Sequence, residues 1–248
     1  MKKKSHKSSM LAAAKAAFPH TLPVMAGYMF LGAAFGILLK DNGYGPIWAL
    51  AMSMFIYAGS MQFVAAGLLA ASFSPWTALA VTILVNARHL FYGLSTLEPF
   101  SGMGWRKPYM VFSLTDETYA LLSSMNPPST AQDYDILFFI SMMNQCYWVL
   151  GSLLGSLAGQ WLAFDTAGIA FAMTALFAVI LVEQWLQAEK ERAVQGFLKA
   201  HAPAMIGVGV SVISLLLFGP DRFLLPAMGG LLVLFAVLRK YFEGVVAA

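Results

Sequence analysis

Long stretches without any charged residue are the feature that most constrains this sequence. No Asp, Glu, Lys or Arg occurs in six runs, which are residues 16–39, 42–87, 136–164, 166–182, 200–220 and 223–238. A helix needs about 20 mostly apolar residues to cross about 30 Å of hydrocarbon, so the run 42–87 is long enough for two spans. Only 11% of the residues are charged, against about 25% in soluble domains, which excludes an ordinary cytosolic enzyme.

These runs predict an all-α fold, a polytopic membrane helix bundle with seven or eight transmembrane helices. The predicted spans are residues 20–39, 47–71, 76–97, 135–158, 165–187, 201–218 and 223–241. Residues 109–124 are short for a span, and whether they cross decides between seven and eight. We expect a basic segment over residues 1–19, followed by a single transmembrane domain over residues 20–243.

The placement of basic residues predicts how the chain lies in the membrane. Five lysines precede the first span: Lys2, Lys3, Lys4, Lys7 and Lys15. The positive-inside tendency therefore puts the N-terminus in the cytoplasm. With eight spans, the basic loop 188–199 and the terminal Arg239-Lys240 also fall inside, so the charge bias favours eight crossings. A re-entrant segment over residues 109–124 is the alternative.

The sequence contains a weak internal similarity, which we call the internal echo, and it is compatible with a duplicated architecture with repeats of about 120 residues. Leu31-Gly32 with Gly36 recurs as Leu150-Gly151 with Gly155, and Ala51-Met52-Ser53 is echoed by Ala172-Met173-Thr174. The halves would be residues 20–124 and 135–243, with the substrate site between them. The alternative is chance, because small residues four apart recur in any apolar helix.

The third predicted span carries polar residues that are costly in hydrocarbon, namely Asn86, Arg88, His89 and Tyr92. An arginine near the centre of a span costs about 2.5–3.5 kcal/mol on insertion scales. Arg88 therefore either binds a carboxylate, from the substrate or from another helix, or extends toward the interface as an anchor.

Three further acids and one amide complete the candidate substrate or ion pathway. Asp116 and Glu117 lie in the short segment 109–124. They either face the bundle interior, as ion partner or proton carrier, or begin a water-facing helix with Thr115 or Ser113 as its cap. Gln62 lies far from any charge in the second span, and the repeat offset aligns it with Glu183.

The sequence lacks the motifs of the competing function classes. It has one cysteine, Cys146, and no CxxC, HExxH, GxSxG or Gly-rich phosphate loop, so we expect no catalytic residues, no metal site and no cofactor. We also expect no nucleic-acid partner, because no basic patch is interleaved with aromatic residues.

Three stretches together give the chain a family resemblance: residues 45–63, 86–93 and 114–119. On these the sequence resembles the AzlC family, the large subunit of bacterial branched-chain amino acid exporters. The resemblance implies an inner-membrane secondary transporter of apolar amino acids, energised by the membrane gradient, with a small hydrophobic AzlD-like subunit as partner. Two other hypotheses stay open, an intramembrane enzyme using His89 with Asp116 and Glu117, and a membrane subunit that only scaffolds a partner.

Overall fold

The computed structural model describes residues 2–70, 74–161, 196–219 and 223–238, together with scattered positions between 168 and 190. Within these ranges it describes side chains from residue 10 onward, except at 198, 199, 224 and 225. Helices dominate the described residues, which contain no β-strand. The chain divides into two compact units, Met1–Met173 and Thr174–Ala248. The single transmembrane domain over residues 20–243 stays a prediction.

The first unit is built around two long helices that pack along each other, α1 (Lys2–Asp41) and α7 (Ala131–Trp161). α1 continues the predicted span 20–39 toward the N-terminus without a break, through Pro19 and Pro23. The alanine-rich stretch before Pro19 is a strong helix former, which explains why the helix does not begin at residue 20.

Glycines set the distance between α1 and α7. A Cβ on Gly36 would lie 2.1 Å from the Ser152 carbonyl oxygen, and one on Gly155 would lie 2.1 Å from the Ala33 carbonyl oxygen. Side chains larger than hydrogen would push the two backbones apart, which is how small residues bring membrane helices into close contact. The two glycine motifs of the internal echo therefore pack against each other. The duplicated architecture itself stays a prediction.

The predicted second span, residues 47–71, is wrong as one continuous helix. The structure divides it into α2 (Pro46–Phe55) and α3 (Gly59–Ala70). Tyr57 between them has φ 43°, the left-handed region that interrupts a right-handed helix. Two short helices thus replace the predicted span.

The ambiguous segment 109–124 is also interrupted. A 3₁₀ turn (Ser101–Arg106) leads into α5 (Lys107–Phe112), and α6 (Asp116–Ser123) follows. The Thr115 hydroxyl caps α6 by accepting a hydrogen bond from the Thr118 amide at 3.2 Å. Neither helix is long enough to cross a bilayer alone, so crossing by this segment stays a prediction.

Four helical stretches in the described part of the chain are long and apolar enough to cross a membrane: Met10–Asp41, Pro75–Ser95, Ala131–Trp161 and Ala200–Phe218. The stretch Pro75–Ser95 is α4 and matches the predicted span 76–97 closely, because Ser74 caps it and Pro75 occupies its first turn. A count of seven or eight spans is not reached among these residues, since α2 and α3 are short and most of the predicted span 165–187 lies outside them.

The second unit contains α8 (Phe197–Phe218) and α9 (Leu224–Val237), which pack against each other. They correspond to the predicted spans 201–218 and 223–241, although residues 239–241 lie outside the described part. His201 is fully buried in α8, where its ring stacks on Phe197 with centroids 4.4 Å apart.

Candidate functional site

The two helix interruptions of the first unit meet beside α7. Gln145 of α7 donates a hydrogen bond to the Met54 carbonyl at the end of α2, at 3.1 Å. Its Oε1 accepts a hydrogen bond from the Tyr109 hydroxyl of α5, at 2.8 Å. The Tyr57 ring packs against Phe112 with centroids 6.3 Å apart. One side chain of α7 thus links the end of α2 to α5.

Arg88 of α4 forms an ion pair with Asp116, the first residue of α6. Its Nη1 lies 2.7 Å from Asp116 Oδ2, and its Nη2 donates a hydrogen bond to Ser60 Oγ of α3, also at 2.7 Å. The side chains of Arg88 and Asp116 are 30% and 26% exposed. The guanidinium is therefore shared between the two interrupted segments, and this pairing offsets the cost of its charge in the span.

Tyr92 continues this pair one helical turn along α4. Its hydroxyl donates a hydrogen bond to Asp116 Oδ1 at 2.8 Å, and its ring stacks on Tyr119 with centroids 4.3 Å apart. His89 packs edge-on against Tyr92, with centroids 5.8 Å apart. The Tyr92 hydroxyl therefore connects the Tyr92–Tyr119 stack to the ion pair.

Glu117 has a different set of neighbours from Asp116. The Tyr28 hydroxyl of α1 donates a hydrogen bond to Glu117 Oε2 at 2.8 Å and also contacts Thr115 Oγ1. Thr115 donates in turn to Thr118 Oγ1 at 3.0 Å. A line of hydroxyls therefore runs inward from the Glu117 carboxylate.

This line ends among buried polar atoms. Asn144 of α7 donates a hydrogen bond to Thr118 Oγ1 at 3.0 Å, while its Oδ1 has no partner among the described residues. Ser141, one turn before it, and Tyr57, beside Tyr28 and Thr118, also have hydroxyls without a partner there. We call the following six residues the hydroxyl cluster: Tyr28, Tyr57, Thr115, Thr118, Ser141 and Asn144.

The hydroxyl cluster is closed to solvent. Thr118, Ser141 and Asn144 are 0% exposed. Unsatisfied polar atoms at such depth are costly, so the unpartnered atoms of Tyr57, Ser141 and Asn144 make this cluster a candidate binding site for a polar group. Sequence reasoning missed most of the cluster, because hydroxyl and amide side chains are common in apolar helices and carry no charge that marks them.

Gln62 is fully buried and acts as a connector between helices. Its Nε2 donates a hydrogen bond to Ser53 Oγ of α2 at 3.2 Å, and its Oε1 accepts one from Trp148 Nε1 of α7 at 2.9 Å. The donor and the acceptor of the Gln62 amide are thus both used within the protein, so the geometry assigns Gln62 to holding α2, α3 and α7 together. A role in the pathway stays a prediction.

The remaining candidates lie apart from these networks. Asn86 is on α4 with a buried Oδ1 that has no partner in the described part, and Glu183 lies outside the described residues. Among the residues that the structure places, no group of three or more His, Cys, Asp or Glu side chains is arranged to hold a metal ion.

Proteins of similar sequence include an amino acid transport protein and several membrane proteins. The AzlC protein family model matches residues 23–162. The branched-chain amino acid transport protein AzlC of Bacillus subtilis is 42% identical over 96% of this chain and 89% of its own length. An uncharacterized membrane protein of Helicobacter pylori is 42% identical over 94% and 98%, and the inner membrane protein YgaZ of Escherichia coli is 27% identical over 65% and 69%. No solved structure matches the chain.

Proposed function

The chain belongs to the AzlC family, and from this premise we propose that it exports branched-chain or related apolar amino acids across the bacterial inner membrane. It acts as the large subunit of a two-component secondary exporter, with a small hydrophobic AzlD-like protein as partner. The name of the Bacillus subtilis relative supports the substrate class, and the apolar helices support the membrane setting.

The observation that carries this proposal is the meeting of two interrupted helical segments at a polar site. Discontinuous helices form the substrate and ion sites of many secondary transporters, because their ends free backbone groups for a ligand. Here the interruptions after α2 and after α5 are joined through Gln145. A protein that only scaffolds a partner has no need of buried, unpartnered polar atoms at such a place.

The site offers the groups that an apolar amino acid requires. Arg88 matches the substrate carboxylate, because a guanidinium binds a carboxylate through two hydrogen bonds. The ammonium group requires acceptors, which the carboxylates and the hydroxyl cluster supply. Binding then competes with the Arg88–Asp116 ion pair, so the occupied state differs from the one described.

Energy comes from the membrane gradient, since the sequence contains no Walker-type phosphate loop. The enzyme hypothesis loses its geometric basis, because His89 packs on Tyr92 and makes no hydrogen bond to Asp116 or Glu117 among the described contacts.

An efflux assay tests the proposal. Cells lacking their own exporters are loaded with a valine-containing dipeptide, and extracellular valine is followed after peptidases release it. Expression of the chain with its small partner should accelerate valine efflux, and the chain alone should not. Equal efflux with and without the pair would contradict export, whereas full efflux by the chain alone would contradict the two-component form.

A matched control uses a lysine-containing dipeptide, whose charged side chain has no counterpart in an apolar cleft. Lysine efflux should stay at the level of cells without the exporter. Acceleration of both amino acids would contradict selectivity for apolar substrates. A pure scaffold subunit would accelerate neither.

A further inference from the structure

Two adjacent carboxylates, Asp116 and Glu117, have opposite electrostatic surroundings. Asp116 lies 2.7 Å from the Arg88 guanidinium and accepts a hydrogen bond from Tyr92, so its negative charge is compensated. Glu117 accepts its hydrogen bond from the neutral Tyr28 hydroxyl, and no ion pair joins it to a basic side chain among the described residues. A partly buried carboxylate without a positive partner has a higher free energy when it is ionised, and protonation removes that cost.

The groups that face Glu117 reinforce this difference. Tyr28 of α1 hydrogen-bonds to it, Tyr57 in the interruption before α3 is close enough to interact with it electrostatically, and within its own helix it follows Asp116. None of these carries a positive charge in the neutral range. The nearest described cation, Arg88, is already engaged by Asp116 and Ser60.

Glu117 also has a continuous hydrogen-bonded connection to the interior. Tyr28, Thr115 and Thr118 follow one another from its carboxylate. A hydroxyl donates one proton and accepts at its lone pairs, and it can rotate to reverse that direction. The inner end of the connection is surrounded by the unpartnered oxygens of Tyr57, Ser141 and Asn144, which are acceptors in place for a proton that arrives there.

We propose that Glu117 carries the proton exchanged for the amino acid, and that Tyr28, Thr115 and Thr118 conduct it to the inner end of the hydroxyl cluster. This assignment rests on the proposed function and deepens it, because it names the coupling ion and the group that binds it. Asp116 pairs with Arg88 in the state described here, so the two neighbouring acids have different roles.

The proton balance closes along this path. Protonated Glu117 gives its proton to Tyr28 Oη while the Tyr28 hydroxyl proton moves to Thr115, and the Thr115 proton moves to Thr118. The Thr118 hydroxyl proton leaves for a water molecule held by the inner oxygens. Glu117 is then ionised, and each hydroxyl again has one proton, which now points back toward Glu117. The hydroxyls rotate to their starting orientation, and the cycle resumes when Glu117 takes a proton from the water that reaches its partly exposed side.

The test uses the chain with its small partner in vesicles, and it compares two modes of transport. The first is net valine movement driven by a pH gradient, and the second is exchange of internal for external valine without a gradient. In Glu117→Gln the amide cannot carry the proton, so gradient-driven movement should be lost relative to exchange. Exchange should also lose its dependence on pH.

Matched controls separate this effect from damage to the fold. Glu98 is exposed and lies outside the site, so Glu98→Gln should keep the parent's ratio of the two modes. Thr118→Val removes the last hydroxyl of the connection and should slow gradient-driven movement more than exchange. Thr77→Val, which alters a threonine at the start of α4, should leave the ratio unchanged.

The results of this test distinguish a failure of the proton-carrier proposal from a failure of the proposed function. If Glu117→Gln keeps the parent's ratio of gradient-driven movement to exchange, the proposal is overturned even though transport is established. If both modes fall together while the protein still inserts, Glu117 binds the substrate and is not the proton carrier, which also overturns it. If the parent itself moves no valine in either mode, the proposed function fails instead.

Discussion

Arg88 shows how a costly residue is accommodated inside the membrane part of the chain. Its charge costs about 2.5–3.5 kcal/mol at the centre of a span on insertion scales, and two nitrogens of the guanidinium each have a partner, Asp116 and Ser60. A side chain that merely extended toward the interface would have no need of a partner on each of two other helices. The contacts therefore favour the binding role over the anchoring role.

Replacing Arg88 by lysine is expected to abolish most valine transport. Arg88→Lys keeps the charge but offers a single nitrogen, which cannot hold Asp116 and Ser60 in the present geometry or grip a substrate carboxylate through two hydrogen bonds. The measurement is valine efflux normalised to the amount of protein in the membrane. Transport at the parent's rate would mean that Arg88 is an anchor.

The second described arginine–aspartate pair provides the control for this prediction. Arg106 lies 2.5 Å from Asp135 and sits over the Phe138 ring, outside the candidate site. Arg106→Lys should leave transport near the parent's rate per protein molecule. A similar loss in both variants would point to a general need for arginine and would contradict a special role for Arg88.

Gln62 should matter for stability more than for substrate binding. Gln62→Leu leaves Trp148 Nε1 and Ser53 without the partners they now have, and an unsatisfied buried polar group costs about 1–3 kcal/mol. We expect a lower melting temperature of the purified protein in detergent. Gln160→Leu, the same change at an exposed position of α7, should leave the melting temperature unchanged. Equal melting temperatures for both variants would show that Gln62 does not connect the helices.

At the scale of elements, the crossing of α1 and α7 depends on glycine. Gly36→Ala places a methyl group 2.1 Å from the Ser152 carbonyl oxygen, so the helices must separate, at a cost of about 1–3 kcal/mol. Gly27→Ala, on the same helix, meets nothing within 4 Å. Thermal unfolding in detergent should therefore show a clear loss for the first variant and none for the second. Equal curves would mean that the helices do not approach each other as described.

The sequence predicts the uninterrupted helices well. α4 is bounded by Ser74-Pro75, a cap and first-turn pair that can be read directly from the sequence. The cost of a buried charge also led to Arg88 and Asp116 before their contact was known. Both signals are local, either a cap beside its helix or a charge within an apolar run.

The interruptions were not predictable, because the contacts that stabilise them come from distant parts of the chain. Residues 47–71 have the apolar composition of one span, whereas the left-handed Tyr57 lies among contacts with distant residues, such as Phe112 against its ring and Gln145 on the nearby Met54 carbonyl. Asn144 was missed for a related reason, since its importance lies in the neighbouring Thr118 of another helix.

For the whole molecule, the charge distribution predicts that both termini lie in the cytoplasm. The lysines before Phe18 and the terminal Arg239-Lys240 favour that side under the positive-inside tendency. Reporter fusions to each end, one active only in the cytoplasm and one active only outside it, measure the topology. A C-terminal fusion active only outside would contradict eight crossings and favour seven.

The central claim is that the amino acid binds where the two interrupted segments meet, with the hydroxyl cluster among the acceptors of its ammonium group, and the direct measurement is protection of a cysteine placed in that cluster. The chain has one cysteine, so a Cys146→Ser background leaves no other thiol. Ser141→Cys then reports on the cluster, and Ser124→Cys reports on an exposed position outside it. The quantity measured is the rate of alkylation by a small thiol reagent with and without valine.

We expect the reagent to reach Ser141→Cys when the transporter opens, and we expect valine to slow that reaction. The rate at Ser124→Cys should be the same with and without valine. A thiol at position 141 that never reacts, or that reacts at one rate whether or not valine is present, while the variant still exports valine, would contradict the account.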